Sequence, residues 1–234
     1  MHALNDLCTA RKVLYLGISD TPAWIVVKAN SYAQHHGLRP FSVYQGRWGA
    51  ACRDFERDII PMCINEGLAL APWGVLGGGG FKSKDEDGPE DRRQVTLGRS
   101  GKEERVKEVL DGIAKAKGEG ESVTGASVAL AYVLHKAPYV FPIVGGRKTK
   151  HLKSNIEALG LVLSEEEMDQ IDKAYGWEIG FPHDFINPAN KFTAGPEDCA
   201  FNANNGFFDY VVKARPVPPH QGPVDQARRR PWER

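Results

Sequence analysis

The amino-acid sequence predicts an α/β fold built on a parallel sheet. Three observations carry that prediction. Short apolar runs of strand length recur along the chain, turn-forming residues close each of them, and a stretch of helical periodicity follows each. The strand-helix units repeat at roughly 25 to 30 residues, the length a parallel crossover needs.

The elements follow in order. Met1, Leu4, Leu7 and Cys8 recur at helical spacing, so the chain opens inside an amphipathic helix, as though a segment preceded it. Lys12 to Ser19 is short and apolar and ends at Asp20-Thr21-Pro22, which predicts a buried parallel strand. Pro22 suits a first helical turn, and the helix from Ala23 is stopped by Gly37. His35 and His36 sit just before that glycine, where imidazolium groups meet the helix's negative end, and His135 before Lys136 reads the same way. Arg39 to Trp48 is the second strand, Arg53 to Gly67 the second helix, and Leu68 to Leu76 the third strand. A polar, charged insertion runs from Phe81 to about Gly101, then a helix through Lys117 and another over Ser122 to Lys136. Tyr139 to Gly146 is the fourth strand and Lys148 to Gly160 its helix. Ser164, three residues before Glu167, forms a capping box for a last helix ending at Gly176. The chain divides into residues 1–180, which carry this pattern, and residues 181–234, a Pro-, Asn- and Gly-rich irregular extension.

Composition excludes several classes. Thirty basic and thirty acidic residues cancel, so no global field draws the chain to nucleic acid or an anionic membrane. No apolar run reaches the roughly 18 to 20 residues that cross a bilayer, and the N-terminus lacks a signal peptide's apolar core. Cys8, Cys52, Cys63 and Cys199 are scattered without metal-ligand or disulfide spacing, which points to a reducing, cytoplasmic setting and to no metal.

Four consecutive glycines, Gly77 to Gly80, raise the question of a phosphate site. A P-loop fails, because Phe81 separates Gly80 from Lys82 and Ser83. The dinucleotide fingerprint fails too: Gly77 and Gly79 are spaced correctly, but Lys82 stands where the third glycine belongs.

Taken in order, "SVYQGRW", "GLALAPWGVLGGG" and "FPIVGGRKTKHLKSNIEAL", preceded by the strand ending at Asp20, resemble the C-terminal half of an aldo-keto reductase. The resemblance is to the fungal aryl-alcohol dehydrogenase and norsolorinic acid reductase branch and covers about residues 1–180. It implies a (β/α)8 TIM-barrel-type fold truncated to its second half, four parallel strands with helices, and a site at the strands' C-terminal face. It implies an oxidoreductase reducing an aryl aldehyde, or a ketone of a polyketide or terpenoid intermediate, with NADP as cofactor, in fungal secondary metabolite biosynthesis. Ser19, Asp20 and Gln45 match residues that hold the nicotinamide carboxamide, with Asp20 in place of the commoner asparagine. Trp73 matches the aromatic on which the nicotinamide stacks, a task suited to a flat indole face. Leu76 and Gly77 open the loop over the pyrophosphate. Gly145, Arg147, His151 and Asn155 match the adenosine end, where Lys148 and Lys150 add charge and Thr149 is a natural N-cap. Fixed cations at a helix N-terminus suit a dianionic 2′-phosphate, hence NADPH over NADH.

The sequence departs from the family in one decisive respect. The Tyr, Lys, Asp and His that move the proton lie on four strands that have no counterpart here, and none of Tyr15, Tyr32, Tyr44, Tyr132 or Tyr139 matches the missing tyrosine. The catalytic residues are therefore unknown. Three readings stay open. The chain borrows a proton donor from a second copy of itself or a complementing half-barrel, or repurposes Tyr44 beside Gln45. It is a non-catalytic half-barrel that keeps NADPH. Or it has a non-redox role on a biosynthetic intermediate, using an apolar pocket around Trp48 and Trp73.

Overall fold

A computed structural model of the chain describes residues 1–81, 101–118, 123–146, 148–186, 192, 195, 198–206, 209 and 214–220. Helix α1 (His2–Thr9) comes first. Only Cys8 of its predicted stripe is buried, while Leu4 and Leu7 stay exposed. There follow β1 (Gly17–Ser19), α2 (Ala23–His35), β2 (Val43–Arg47), α3 (Ile59–Glu66) and β3 (Ala69–Trp73). Then come α4 (Gly101–Lys117), α5 (Gly125–Lys136), α6 (Thr149–Glu157) and α7 (Glu165–Tyr175), with two short helices, α8 (His183–Ile186) and α9 (Ala200–Ala203), in the C-terminal region.

The strands pair in the order β1-β2-β3, all parallel. The predicted fourth strand is present as a segment rather than a full strand. Leu70 bridges Val140 in parallel, and the bonds Leu70 N–H to Tyr139 O (3.0 Å), Phe141 N–H to Leu70 O (2.7 Å) and Ile143 N–H to Pro72 O (2.8 Å) dock residues 139–143 along β3. The first strand is shorter than expected. Pairing begins only where the Ser42 amide donates to Leu16 O, so Leu14 and Tyr15 are left on the surface, 75% and 79% exposed.

Side chains alternate across a strand, and here the two faces differ sharply. Tyr44, Leu70 and Val140 point into one core with Val26, Ile60, Leu110 and Val128 of the surrounding helices. The opposite face has Ser19 beside Gln45 in register and, on the fourth segment, the exposed Tyr139, Phe141 and Ile143. Parallel sheets are ordinarily covered on both faces. Among the described residues the second face of this one is only partly covered, with Ala71 buried, Val43, Ala69 and Trp73 half-buried, and Ser19, Gln45 and Phe141 exposed.

Helix ends follow their local chemistry. Ser164 and Glu167 make the predicted capping box of α7, and Thr124 makes another with Ser127 at α5. Gly67 and Gly176 end α3 and α7 in the left-handed conformation that glycine adopts without a steric penalty. His35 Nδ1 pairs with Ser31 O at 2.7 Å, His36 Nδ1 with Tyr32 O at 2.8 Å and His135 Nδ1 with Ala131 O at 2.7 Å, so each imidazole bonds a carbonyl one turn back in its helix. Thr149 does not cap α6; the N-cap is Lys148, one residue earlier, with no side-chain cap bond. The described part of the C-terminal region touches the core unit: the His220 amide donates to Leu159 O at 3.1 Å. All four cysteines are free thiols. No helix among the described residues is long and apolar enough to cross a membrane.

Candidate functional site

The C-terminal ends of parallel strands bring their following loops to one edge, and most of the predicted site residues lie there. Ser19 ends β1 and pairs with Gln45 of β2, which pairs with Ala71 of β3. Asp20 follows with φ 47, a left-handed conformation that is uncommon for a residue bearing a side chain. Two interactions hold it directly, and a third ties its neighbours to each other. Its amide donates to Gln45 O at 3.2 Å, the Ser19 hydroxyl donates to its Oδ2 at 3.0 Å, and the Thr21 hydroxyl donates back to Ser19 O at 2.8 Å. Ser19, Asp20 and Gln45 are all solvent-exposed, so a polar triplet faces outward at the head of the open sheet face.

Tyr44 is not part of that triplet. It points into the core, edge-on to Phe55 at 5.4 Å, and its hydroxyl donates to Thr21 O at 2.6 Å while accepting the Thr21 amide at 2.9 Å. Burial, with the nearby Asp20 charge adding to it, holds the phenol above its ordinary value of 10.0. It therefore braces the β1 loop from behind, and the expectation that it could donate a proton beside Gln45 is corrected by the strand's alternation. Trp48 is corrected for a similar reason. It is 0% exposed and packed in the core cluster with Tyr44.

Trp73 ends β3, half-buried, and pairs with Arg47. Beyond it, Gly77, Gly78 and Gly79 have φ of 63, 61 and 93, a backbone only glycine adopts readily three times in succession. The Gly77, Gly79 and Gly80 amides bond Gly74 O, Leu76 O and Gly77 O, so this part of the loop satisfies itself as a compact turn after Leu76.

At the other edge, Gly145 and Gly146 lead from the fourth segment into α6, which carries His151 and Asn155, both half-buried. Arg147, expected at the centre of the basic cluster, lies outside the described residues. Lys148 and Lys150 are exposed beside it. A Cβ on Gly146 would come within 2.9 Å of the His151 Cβ, so the imidazole packs directly over a glycine. Both His151 ring nitrogens are buried with no hydrogen-bond partner among the described residues. A neutral imidazole has one donor and one acceptor, and burying both unpaired is costly. A polar ligand at the α6 N-terminus would satisfy at least one of them.

The sequence pattern did not indicate a buried ionic group behind the site, made by Arg53, Glu56, Lys136 and Asp172. Its one local signal is a charged pair, Arg53 and Glu56, inside an otherwise core-directed stretch. Among the described residues no cluster of three or more His, Cys, Asp or Glu side chains could hold a metal ion.

A family model described as the aldo/keto reductase family matches residues 1–176. An aryl-alcohol dehydrogenase of Pestalotiopsis microspora is 54% identical over 222 residues, which is 95% of this chain and 56% of that protein. Norsolorinic acid reductase A of Aspergillus parasiticus is 50% identical over 226 residues, 95% of this chain and 57% of that protein. A probable aryl-alcohol dehydrogenase of Saccharomyces cerevisiae is 49% identical over 193 residues, 80% of this chain and 58% of that protein. The chain thus spans a little over half the length of these relatives. Among solved structures, a thermostable aldo-keto reductase crystallised with the inhibitor epalrestat matches with a TM-score of 0.57 and 24% identity, over 74% of this chain and 53% of that one.

Proposed function

Because the chain belongs to the aldo/keto reductase family, we propose that it forms the cofactor-holding portion of an NADPH-dependent oxidoreductase acting on an aryl aldehyde or a polyketide- or terpenoid-like ketone in fungal secondary metabolism. The substrate class rests on the names of its relatives, an aryl-alcohol dehydrogenase and a norsolorinic acid reductase. The observation that carries the cofactor is His151, whose buried, unpartnered ring nitrogens sit at a helix N-terminus beside exposed lysines. The donor set suits a phosphate-bearing dinucleotide. Ser19, Asp20 and Gln45 supply hydroxyl, carboxylate and amide groups for a carboxamide, Trp73 a flat apolar face, and the α6 end positive charge. NADPH, when bound, supplies a hydride.

In this reading the chain is half of a barrel, and the open sheet face is where the remainder belongs. The exposed Tyr139, Phe141 and Ile143 row is the surface that a second copy, or a chain bearing complementary strands, would cover, and that partner would bring the proton donor. Sedimentation equilibrium tests this. A monomer at all concentrations would exclude self-association.

One observation favours a second reading, cofactor binding without chemistry. Tyr44, a tyrosine adjacent to the polar triplet in sequence, is locked to Thr21 and faces the core. Calorimetric titration with NADPH, and with NADH as control, tests the shared premise. NADPH preference that weakens in His151→Ala is expected; a folded chain that takes up neither nucleotide overturns it. NADPH oxidation dependent on an aromatic aldehyde then separates an enzyme from a binder.

A further inference from the structure

Trp48 continues the sheet one step beyond β2. Its amide donates to Trp73 O at 3.3 Å, a final rung after the Arg47 and Trp73 pair. The indole is fully buried, and its Nε1–H donates to Glu56 Oε1 at 3.3 Å. The next residue, Gly49, presses on the loop after β3, where a Cβ would meet Val75 Cα at 3.2 Å. Whatever fixes Trp48 therefore fixes the end of β3.

What fixes it is a closed ionic group. Glu56, 1% exposed, takes a bidentate pair from Arg53, Nε to Oε1 at 2.9 Å and Nη2 to Oε2 at 2.8 Å. Arg53 also donates through Nη1 to the Asp172 backbone O at 2.9 Å, and its Nη2 lies 3.4 Å from Asp172 Oδ1. Lys136 of α5 bonds Asp172 Oδ2 at 2.5 Å and stands 3.8 Å from Glu56 Oε2, and Tyr132 donates to Asp172 Oδ1 at 2.7 Å. The Arg53 guanidinium lies 4.8 Å from the Trp177 ring centroid. Two cations and two carboxylates cancel in a nearly dry site, where each charge is tolerated only while its partners stay in place. A hydrophobic group would hold α5 and α7 together as well. Directional bonds running through Glu56 to Trp48 do something more.

We propose that Glu56 and Arg53 are positioning residues for Trp73, and that α7, through Asp172, is coupled to the end of β3 that the proposed function assigns to the nicotinamide ring. The proposal rests on that assignment only for its consequence in binding. The linkage itself runs through this chain's own residues.

The test replaces charge while keeping shape. Glu56→Gln keeps an acceptor for Trp48 and removes the charge that Arg53 and Lys136 require; Asp172→Asn is the milder variant if the first does not fold. Ser164→Ala, which removes a cap on α7 away from the group, is the control for lost stability. Chains carrying 5-fluorotryptophan are examined by fluorine NMR, with the Trp73 signal assigned by Trp73→Phe, and the same variants are titrated with NADPH. A shifted or broadened Trp73 signal in Glu56→Gln or Asp172→Asn, unmoved in Ser164→Ala, is expected, with NADPH bound about tenfold more weakly. A Trp73 signal unmoved in a folded variant overturns the positioning role, whatever NADPH does. A moved signal in a chain that binds no NADPH leaves the positioning role standing and removes the cofactor assignment instead.

Discussion

Tyr44 and Gln45 are neighbours in sequence and face opposite sides of the sheet, because side chains alternate along a strand. The phenol is thereby committed to Thr21, accepting its amide and donating to its carbonyl, directly behind the strained Asp20. Tyr44→Phe leaves both Thr21 groups without that partner in a part-buried place. A loss of about 1 to 3 kcal/mol in urea denaturation is expected. A loss near zero would mean that water replaces the hydroxyl. Gly77 gives a second test at this scale. Its φ of 63 disfavours a side chain, and a Cβ would stand 3.0 Å from the ring of Phe81, which is buried. Gly77→Ala should cost about 1 to 2 kcal/mol from backbone conformation alone, read as a lowered thermal midpoint, with the contact to Phe81 adding to it.

At the scale of elements, α7 shows what a sequence can declare. Ser164 and Glu167 meet both requirements of a capping box within four residues, and the structure makes both bonds, 3.3 Å from the Glu167 amide to Ser164 Oγ and 2.7 Å from the Ser164 amide to Glu167 Oε2. Ser164→Ala should lower stability by about 1 kcal/mol, measured in the same urea titration, because α7 packs on α4 and cannot fray without exposing Ile171. Parallel strands were legible as apolar runs, but their lengths were not. Lys12 to Tyr15 reads as strand and lacks a strand partner, since pairing begins with the Ser42 amide on Leu16 O and the register with Gly17 opposite Val43. The fourth segment was legible for the same reason, and only its pairing with Leu70 shows how little of it is ladder. At the strand ends, the polar triplet could be located from Ser19 and Gln45, whereas the use of Tyr44 depends on which face it takes. The clasp of Arg53 with Asp172 spans 119 residues, and no local pattern encodes a contact at that separation.

The whole molecule keeps several neutral acids inside one core, and this sets how it responds to base. Burial pushes the Cys63 thiol from 9.0 up to about 12. Burial raises Cys52 as well, with smaller contributions from its charged neighbours. Tyr132 is held well above 10.0, first by burial and then by the Glu56 charge, with Asp172 adding to it. Each group is uncharged when protonated, so the folded chain retains a proton that the unfolded chain gives up at the ordinary value. Between the two values the unfolded state binds fewer protons, and stability falls as pH rises, by about 1.4 kcal/mol per pH unit for each group. The contribution is whole below pH 9, the ordinary thiol value, and declines as pH climbs toward the folded value of about 12, with the tyrosines joining above 10. Urea midpoints measured across this range should be level below pH 9 and then fall. Cys63→Ala should make the first part of that fall shallower, and the double variant with Cys52→Ala should delay its onset to near pH 10, where the phenols begin. An onset that stays near pH 9 in the double variant would assign the alkaline response to groups outside this core.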